Sequence, residues 1–189
     1  MKKLLSLAAG CCFLFACNNQ PATQDPAKAN DAATTAANAK PSSPQDVEFA
    51  DAKYMDIGKA ALAAMSKGDV NGWLSGYAEN AVYIWSAGDS LSGLPAITKY
   101  WTERRSQVID SIAFANDIWL AIKVNKPQRG PDLAGVWLMG WYQFNSKYKN
   151  GKRAGGWIHQ DMHFNEAGKI DRAIQYIDKA PINAALGKK

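Results

Sequence analysis

The sequence predicts an α+β domain in which helices come first and one curved antiparallel sheet comes last. Three observations carry this. Apolar residues recur at helical spacing through Phe49 to Met65, with Tyr54, Ile57, Ala61 and Met65 on one face. From residue 109 onward the pattern changes to long runs rich in β-branched and aromatic residues, at 109–124, 132–148, 153–164 and 170–178. Turn chemistry separates the last three of these, at Asn150-Gly151 and at Glu166-Ala167-Gly168-Lys169. Helix, helix, strand, helix and then a four-stranded meander is an α+β order.

The chain has 189 residues, 47% of them hydrophobic, which suffices for one domain with a proper core. Of its 20 aromatic residues, 18 lie between Phe49 and Lys189, including all seven tryptophans, so the core belongs to that part. The same segment holds 18 basic and 13 acidic residues. The bases are scattered except for Lys147, Lys149, Lys152 and Arg153 on a hairpin tip. A solvated tip accounts for that cluster, and no nucleic-acid motif accompanies it, so no nucleic-acid partner is expected.

Residues 1–16 read as an export signal. Lys2 and Lys3 precede an apolar run from Leu4 to Ala16, too short to span a bilayer. The run ends Leu14-Phe15-Ala16-Cys17, which resembles the lipobox of bacterial lipoproteins. That resemblance implies cleavage before Cys17, diacylglycerol on its thiol and a further acyl chain, such as palmitate, on the new amino group. Each buried methylene adds ~0.8 kcal/mol, so two or three chains hold firmly where one would not. The expected location is the bacterial cell envelope, anchored by lipid on the periplasmic side or the cell surface. Cys11 and Cys12 fall within the removed segment and Cys17 carries lipid, so no disulfide or thiol chemistry is expected of the mature protein. Residues 17–48 form the lipidated tether. Asn18 to Glu48 lack any aromatic residue and are too polar to offset ordering entropy, so they are expected to be disordered.

Residues 49–189 form the domain. Gly68-Asp69 stops the first helix, and Asp69 can cap a second one carrying Trp73, Leu74 and Tyr77. Ala81 to Trp85 is a short strand. Loop residues follow, then Pro95 at the start of a third helix with Ile97, Tyr100, Trp101 and Val108 on its apolar face.

Read as a two-residue turn, Asn150-Gly151 sets Lys149 opposite Lys152. Trp141 then faces Gln160, Met139 faces Met162 and Trp137 faces Phe164, all on the more apolar side that should meet the helices. The other side pairs Tyr142 with His159, Phe144 with Trp157, Gly140 with Asp161 and Leu138 with His163. A slip of one residue would exchange every such assignment.

Gly68-Asp69, Tyr77-Ala78-Glu79-Asn80-Ala81-Val82, Gly93 before a helix, and Phe164-Asn165-Glu166-Ala167-Gly168-Lys169-Ile170 resemble the nuclear transport factor 2-like superfamily. They are closest to its SnoaL-like and ketosteroid isomerase branch. The resemblance spans about residues 50 to 182 and implies a cone, in which three N-terminal helices wrap a curved sheet around a pocket. Ketosteroid isomerases use a tyrosine, a carboxylate base and a protonated aspartate, an arrangement that is a standard case of carboxyl tuning. Their places here are taken by Ala61, Trp85 and Gln160, none of which can do that chemistry. The cyclase branch also expects an aspartate at the position of Gln160.

The pocket wall expected from these readings is Tyr54, Ala61, Tyr77, Trp85, Trp141, Ile158, Gln160, Met162 and Tyr176, which suits a small apolar or aromatic ligand. Gln160 is either a ligand contact or a core amide satisfied by a tyrosine hydroxyl or a water. No catalytic residue, cofactor or metal is expected. His159 and His163 sit ~13 Å apart along one strand face, too far to share an ion unaided. They belong to the outer sheet face, which with Tyr142, Phe144 and Trp157 suits a homodimer contact. Three readings compete: a lipid-anchored binding module, an enzyme of dehydratase, cyclase or hydrolase type with another constellation, and an envelope scaffold whose cone is filled.

Overall fold

The computed structural model describes residues 45–128 and 133–188. The signal segment, Cys17 and most of the tether lie outside the described residues. Strand β1 (Val47–Phe49) pairs with Val124, Lys123 and Ile122 of β4 (Ile109–Val124), and Lys123 meets Glu48 at 3.3 Å.

Helix α1 (Lys53–Lys67) starts where the Asp51 carboxylate accepts from the Lys53 amide, and ends at Gly68, whose φ of 81° lets its amide reach the last turn. Asp69 caps α2 (Val70–Leu74) by accepting from the Gly72 amide at 2.7 Å, as the sequence predicts. Strand β2 (Tyr77–Trp85), strand β3 (Ser90–Ser92) and helix α3 (Leu94–Glu103, with proline in its first turn) follow. A π-helical turn, Arg104–Val108, leads into β4. Strands β5 (Gly135–Tyr148), β6 (Arg153–Phe164) and β7 (Ile170–Ile177) complete the meander, and helix α4 (Ala180–Leu186) follows as an element beyond those the sequence predicts.

The fold is α+β with one seven-stranded sheet, in the order β1-β4-β5-β6-β7-β2-β3. It is mixed rather than purely antiparallel, because β2 runs parallel to β7. Ile174 of β7 lies opposite Ile84 and Gln175 opposite Trp85, so the first long strand is stitched to the last.

The β5–β6 register corrects the sequence reading. Lys149, Asn150 and Gly151 form a three-residue loop: the Gly151 amide bonds the Tyr148 carbonyl, the Tyr148 amide bonds the Lys152 carbonyl, and Gly151 has φ 82°. A turn followed by a left-handed glycine is the standard three-residue hairpin, and it shifts every pair by one. Trp141 faces His159, Gly140 faces Gln160, Leu138 faces Met162 and Tyr142 faces Ile158. The inner face of β6 is as expected, while the two faces of β5 are exchanged.

A bulge in β4 at Asn116 (φ 54°) changes which residues face inward, from Ile112 and Phe114 before it to Trp119 and Ala121 after it. The Trp119 ring fits only because its neighbours are Gly58 and Gly140. A Cβ on either would lie 2.6 or 2.4 Å from the ring. Among the described residues no helix is long and apolar enough to cross a membrane.

Candidate functional site

The sheet and helices enclose a cavity of about 230 Å³. At its depth a row of register partners crosses four strands: Gly140, Gln160, Gln175 and Trp85. Both glutamines are buried and both are held by aromatic side chains. The Tyr142 hydroxyl donates to Gln160 Oε1 at 2.7 Å, and Gln160 Nε2 donates to the Tyr83 hydroxyl at a long 3.5 Å. Trp85 Nε1 donates to Gln175 Oε1 at 3.1 Å. These bonds satisfy polar groups that would otherwise cost ~1–3 kcal/mol each.

Helix α3 supplies Tyr100 and Trp101, which continue the aromatic wall. Tyr100 packs edge-on against Trp85 and Trp101, both with centroids at 5.3 Å, and Tyr83 tilts against Trp85 at 4.9 Å. Phe114, Tyr142 and Phe144 form the opposite wall.

Burial pushes the Tyr83 phenol well above its ordinary value, and the neighbouring Tyr77, Tyr142 and Tyr100 push it the same way. Burial likewise raises Tyr142, with a smaller push from Tyr77. Burial raises Tyr77 too, while the Gln160 amide pulls it slightly back. The Tyr77 hydroxyl is buried and, among the described residues, has no partner within hydrogen-bond geometry, the Gln160 amide being its polar neighbour. The phenols of this wall are thus neutral groups rather than bases.

Helix α4 closes one side through Ile182 and Leu186. It is tied to the β5–β6 hairpin by Asn150 Nδ2, which donates to the Ala185 carbonyl at 2.9 Å. Asp178 accepts from the Ala180 amide at 2.8 Å and starts this helix, so it serves the backbone rather than the cavity. Asp89 pairs with Lys179 at 2.9 Å, and Lys179 also sits 5.7 Å over the Trp85 ring.

Of the seven residues expected as ligand contacts, Gln160 and Trp85 line the cavity. Tyr77 and Met162 are buried in the adjoining core without reaching it. Tyr54 packs edge-on against Phe164 at 4.7 Å, in the same core. Trp141 and Tyr176 are misplaced by the sequence reading: both stand on the outer sheet face, stacked on either side of His159 at 4.5 and 5.4 Å. For Trp141 the cause is the one-residue shift of β5; for Tyr176 it is the odd-numbered inward phase of β7, where Ala173, Gln175 and Ile177 face the helices. Ala61, on α1, packs against the core, while Ile158 does line the cavity.

Tyr142 and Phe144, expected on the outer face, are inner-wall residues. Tyr83, Gln175, Tyr100 and Trp101 also line the cavity, beyond the wall the sequence predicts, although Tyr83 follows by simple alternation from Trp85. On the outer face, His159 meets Asp161 at 3.0 Å. His163 is buried rather than solvent-facing, with its two ring nitrogens 2.6 Å from Asp171 and 3.0 Å from the Ala134 carbonyl. Among the described residues no group of three or more His, Cys, Asp or Glu side chains is placed to hold a metal ion.

Helices wrapped on one face of a strongly bent sheet around an internal cavity define a cone of the nuclear transport factor 2-like kind. Neither a protein-family model nor a curated protein matches the sequence, but solved structures do. A candidate isomerase from Bacillus subtilis superposes with a TM-score of 0.56 at 18% identity, over 72% of this chain and 94% of its own. A candidate polyketide cyclase from Xanthomonas campestris gives 0.55 at 14% identity, over 70% and 95%. A nuclear transport factor 2-like protein of unknown function from Burkholderia pseudomallei gives 0.51 at 14%, over 69% and 95%. The chain has the nuclear transport factor 2-like fold. Identities this low bear on the fold alone.

Proposed function

We propose that this domain binds a small aromatic or apolar molecule in its cone and does so without acid–base catalysis. One observation carries the reading: among the described residues, no Asp, Glu, His or Cys lines the cavity. A general base must titrate near the working pH, and the wall's phenols Tyr83 and Tyr142 are driven the other way by burial. What remains is stacking surface with two anchored amides and the cations Arg104, Lys179 and Lys188. A cavity of about 230 Å³ exceeds the ~150 Å³ that admits benzene, so it suits one substituted ring or a small fused pair.

Native mass spectrometry of the protein purified gently from its own host tests this. An adduct of small-molecule mass that leaves on denaturation supports binding. Trp85→Ala and Gln160→Leu should weaken the adduct with the fold intact, and unchanged occupancy in both would sink the proposal.

Membrane attachment through lipid on Cys17 belongs to the same reading, supported by Leu14-Phe15-Ala16-Cys17 after an apolar run. Cys17→Ser should move the protein from the detergent phase to the aqueous phase on Triton X-114 partition. We also assign the outer sheet face, where Ile118, Trp157 and Tyr176 are exposed, to contact with a second copy. Trp157→Glu should lower the mass seen by light scattering, and a monomer in the parent protein would refute that contact.

A further inference from the structure

Two consecutive arginines close helix α3 and do different things. Arg105 is committed to the backbone: its Nη1 donates to the carbonyls of Ile109 and Asp110, both at 3.0 Å, fixing the start of β4. Arg104 opens the π-helical turn and lines the cavity. Its side chain makes no ion pair and no hydrogen bond among the described residues. Such wide turns are enriched at functional sites because they redirect a side chain from the regular helical path.

Among the described residues no carboxylate pairs with Arg104. The Tyr148 phenol is close enough to feel its charge, and the Ser146 hydroxyl adjoins that phenol. Both residues are buried on the cavity wall, as inner-face neighbours on β5. The cavity is lined by three cations, Arg104, Lys179 and Lys188, and by no carboxylate. Lys179 is matched by Asp89 from outside the wall, whereas Arg104 has no such match. A guanidinium beside two hydroxyls is a complementary fork for a planar anion.

We propose that the ligand is a ring compound bearing a single carboxylate, held with its ring among Trp85, Tyr100 and Phe114 and its carboxylate on Arg104. This rests on the binding reading above and specifies the ligand's charge and orientation. The ring end meets aromatic edges and the Gln160–Gln175 row, and the acid end meets the fork formed by Arg104, Tyr148 and Ser146.

The test compares 2-naphthoate with its neutral isostere 2-naphthamide by calorimetry on the full chain and on Arg104→Gln. The expected result is tighter binding of the carboxylate by about tenfold or more in the parent protein. In Arg104→Gln that gap should shrink to within about twofold with amide binding unchanged. Arg104→Lys, which keeps the charge without the fork, should leave an intermediate gap and serves if the glutamine variant folds poorly. Equal binding of both compounds, or a gap that survives loss of Arg104, overturns the anion proposal and leaves the cavity reading standing. Failure of both compounds to bind at millimolar concentration overturns both.

Discussion

Gly140→Ala tests the packing of Trp119, which lies against the cavity-wall residue Tyr142. An alanine Cβ there would sit 2.4, 2.8 and 3.0 Å from three atoms of the Trp119 ring. Carbon contacts are most favourable at about 3.5–4.0 Å, so the ring must withdraw by roughly 1 Å. It has nowhere to go: on its far side a Cβ at Gly58 of α1 would already be 2.6 Å from the same ring atom, and its Nε1 is bonded to Asp117 at 2.7 Å. Overpacking of this kind costs ~1–3 kcal/mol, against a gain of ~0.5–1 kcal/mol from removing glycine within a strand. The clash wins, and a net loss of about 1–2 kcal/mol is expected. Gly156→Ala in β6 isolates the strand gain, since its Cβ would meet Phe144 at 3.4 Å, close to ordinary contact. Urea unfolding followed by far-ultraviolet circular dichroism should place the two variants on opposite sides of the parent. Adding Trp119→Phe should recover part of the Gly140→Ala loss, as expected for residues in contact. If Gly140→Ala matches or exceeds Gly156→Ala in stability, Trp119 does not occupy the slot between α1 and β5.

Further outcomes follow from the same geometry. Gln160→Leu removes the acceptor of the buried Tyr142 hydroxyl and should cost about 1–3 kcal/mol in urea unfolding while leaving the circular dichroism spectrum unchanged. Tyr77, Tyr83 and Tyr142 have phenols raised in the folded state, so their contribution to stability is complete below the unfolded value near pH ~10 and is lost as pH rises beyond it. Alkaline difference absorbance at 295 nm should therefore show early titration of the exposed tyrosines only, with the buried set ionising together with unfolding. Asn150→Ala frees α4 from the hairpin at a cost of about 1 kcal/mol. Hydrogen exchange in residues 180–186 should accelerate more than in β5 or β6, and equal acceleration throughout would contradict a local tie.

Helices α1 to α3 and strands β4 to β7 were legible because their apolar spacing, caps and turn residues agree with one another. The cap at Asp69 and the stop at Gly68 are local chemistry, so single-residue reading found them. The β5 face was misread because Asn-Gly serves both two-residue and three-residue hairpins, and the choice between them depends on twist along the whole ribbon. That single ambiguity moved Tyr142 out of the cavity and put Trp141 in it. The parallel contact of β2 with β7 was invisible because nothing local encodes a pairing between Ile84 and Ile174. Helix α4 did carry signals, Pro181 in its first turn and Gly187 at its end with φ 68°, but its short apolar stripe is hard to separate from a tail. The bulge at Asn116 hid Trp119's inward direction, since alternation counted from Phe114 points it outward.

The parallel seam between β2 and β7 also orders events in time. Trp85 reaches its partner Gln175 only after nearly the whole domain has left the ribosome, and α4, which closes the cavity, is later still. Contacts this distant in sequence make for slow closure, because the loop entropy is spent before any pairing rewards it. The domain therefore stays open until its last strand is free, and the cavity comes into being as the final act of folding.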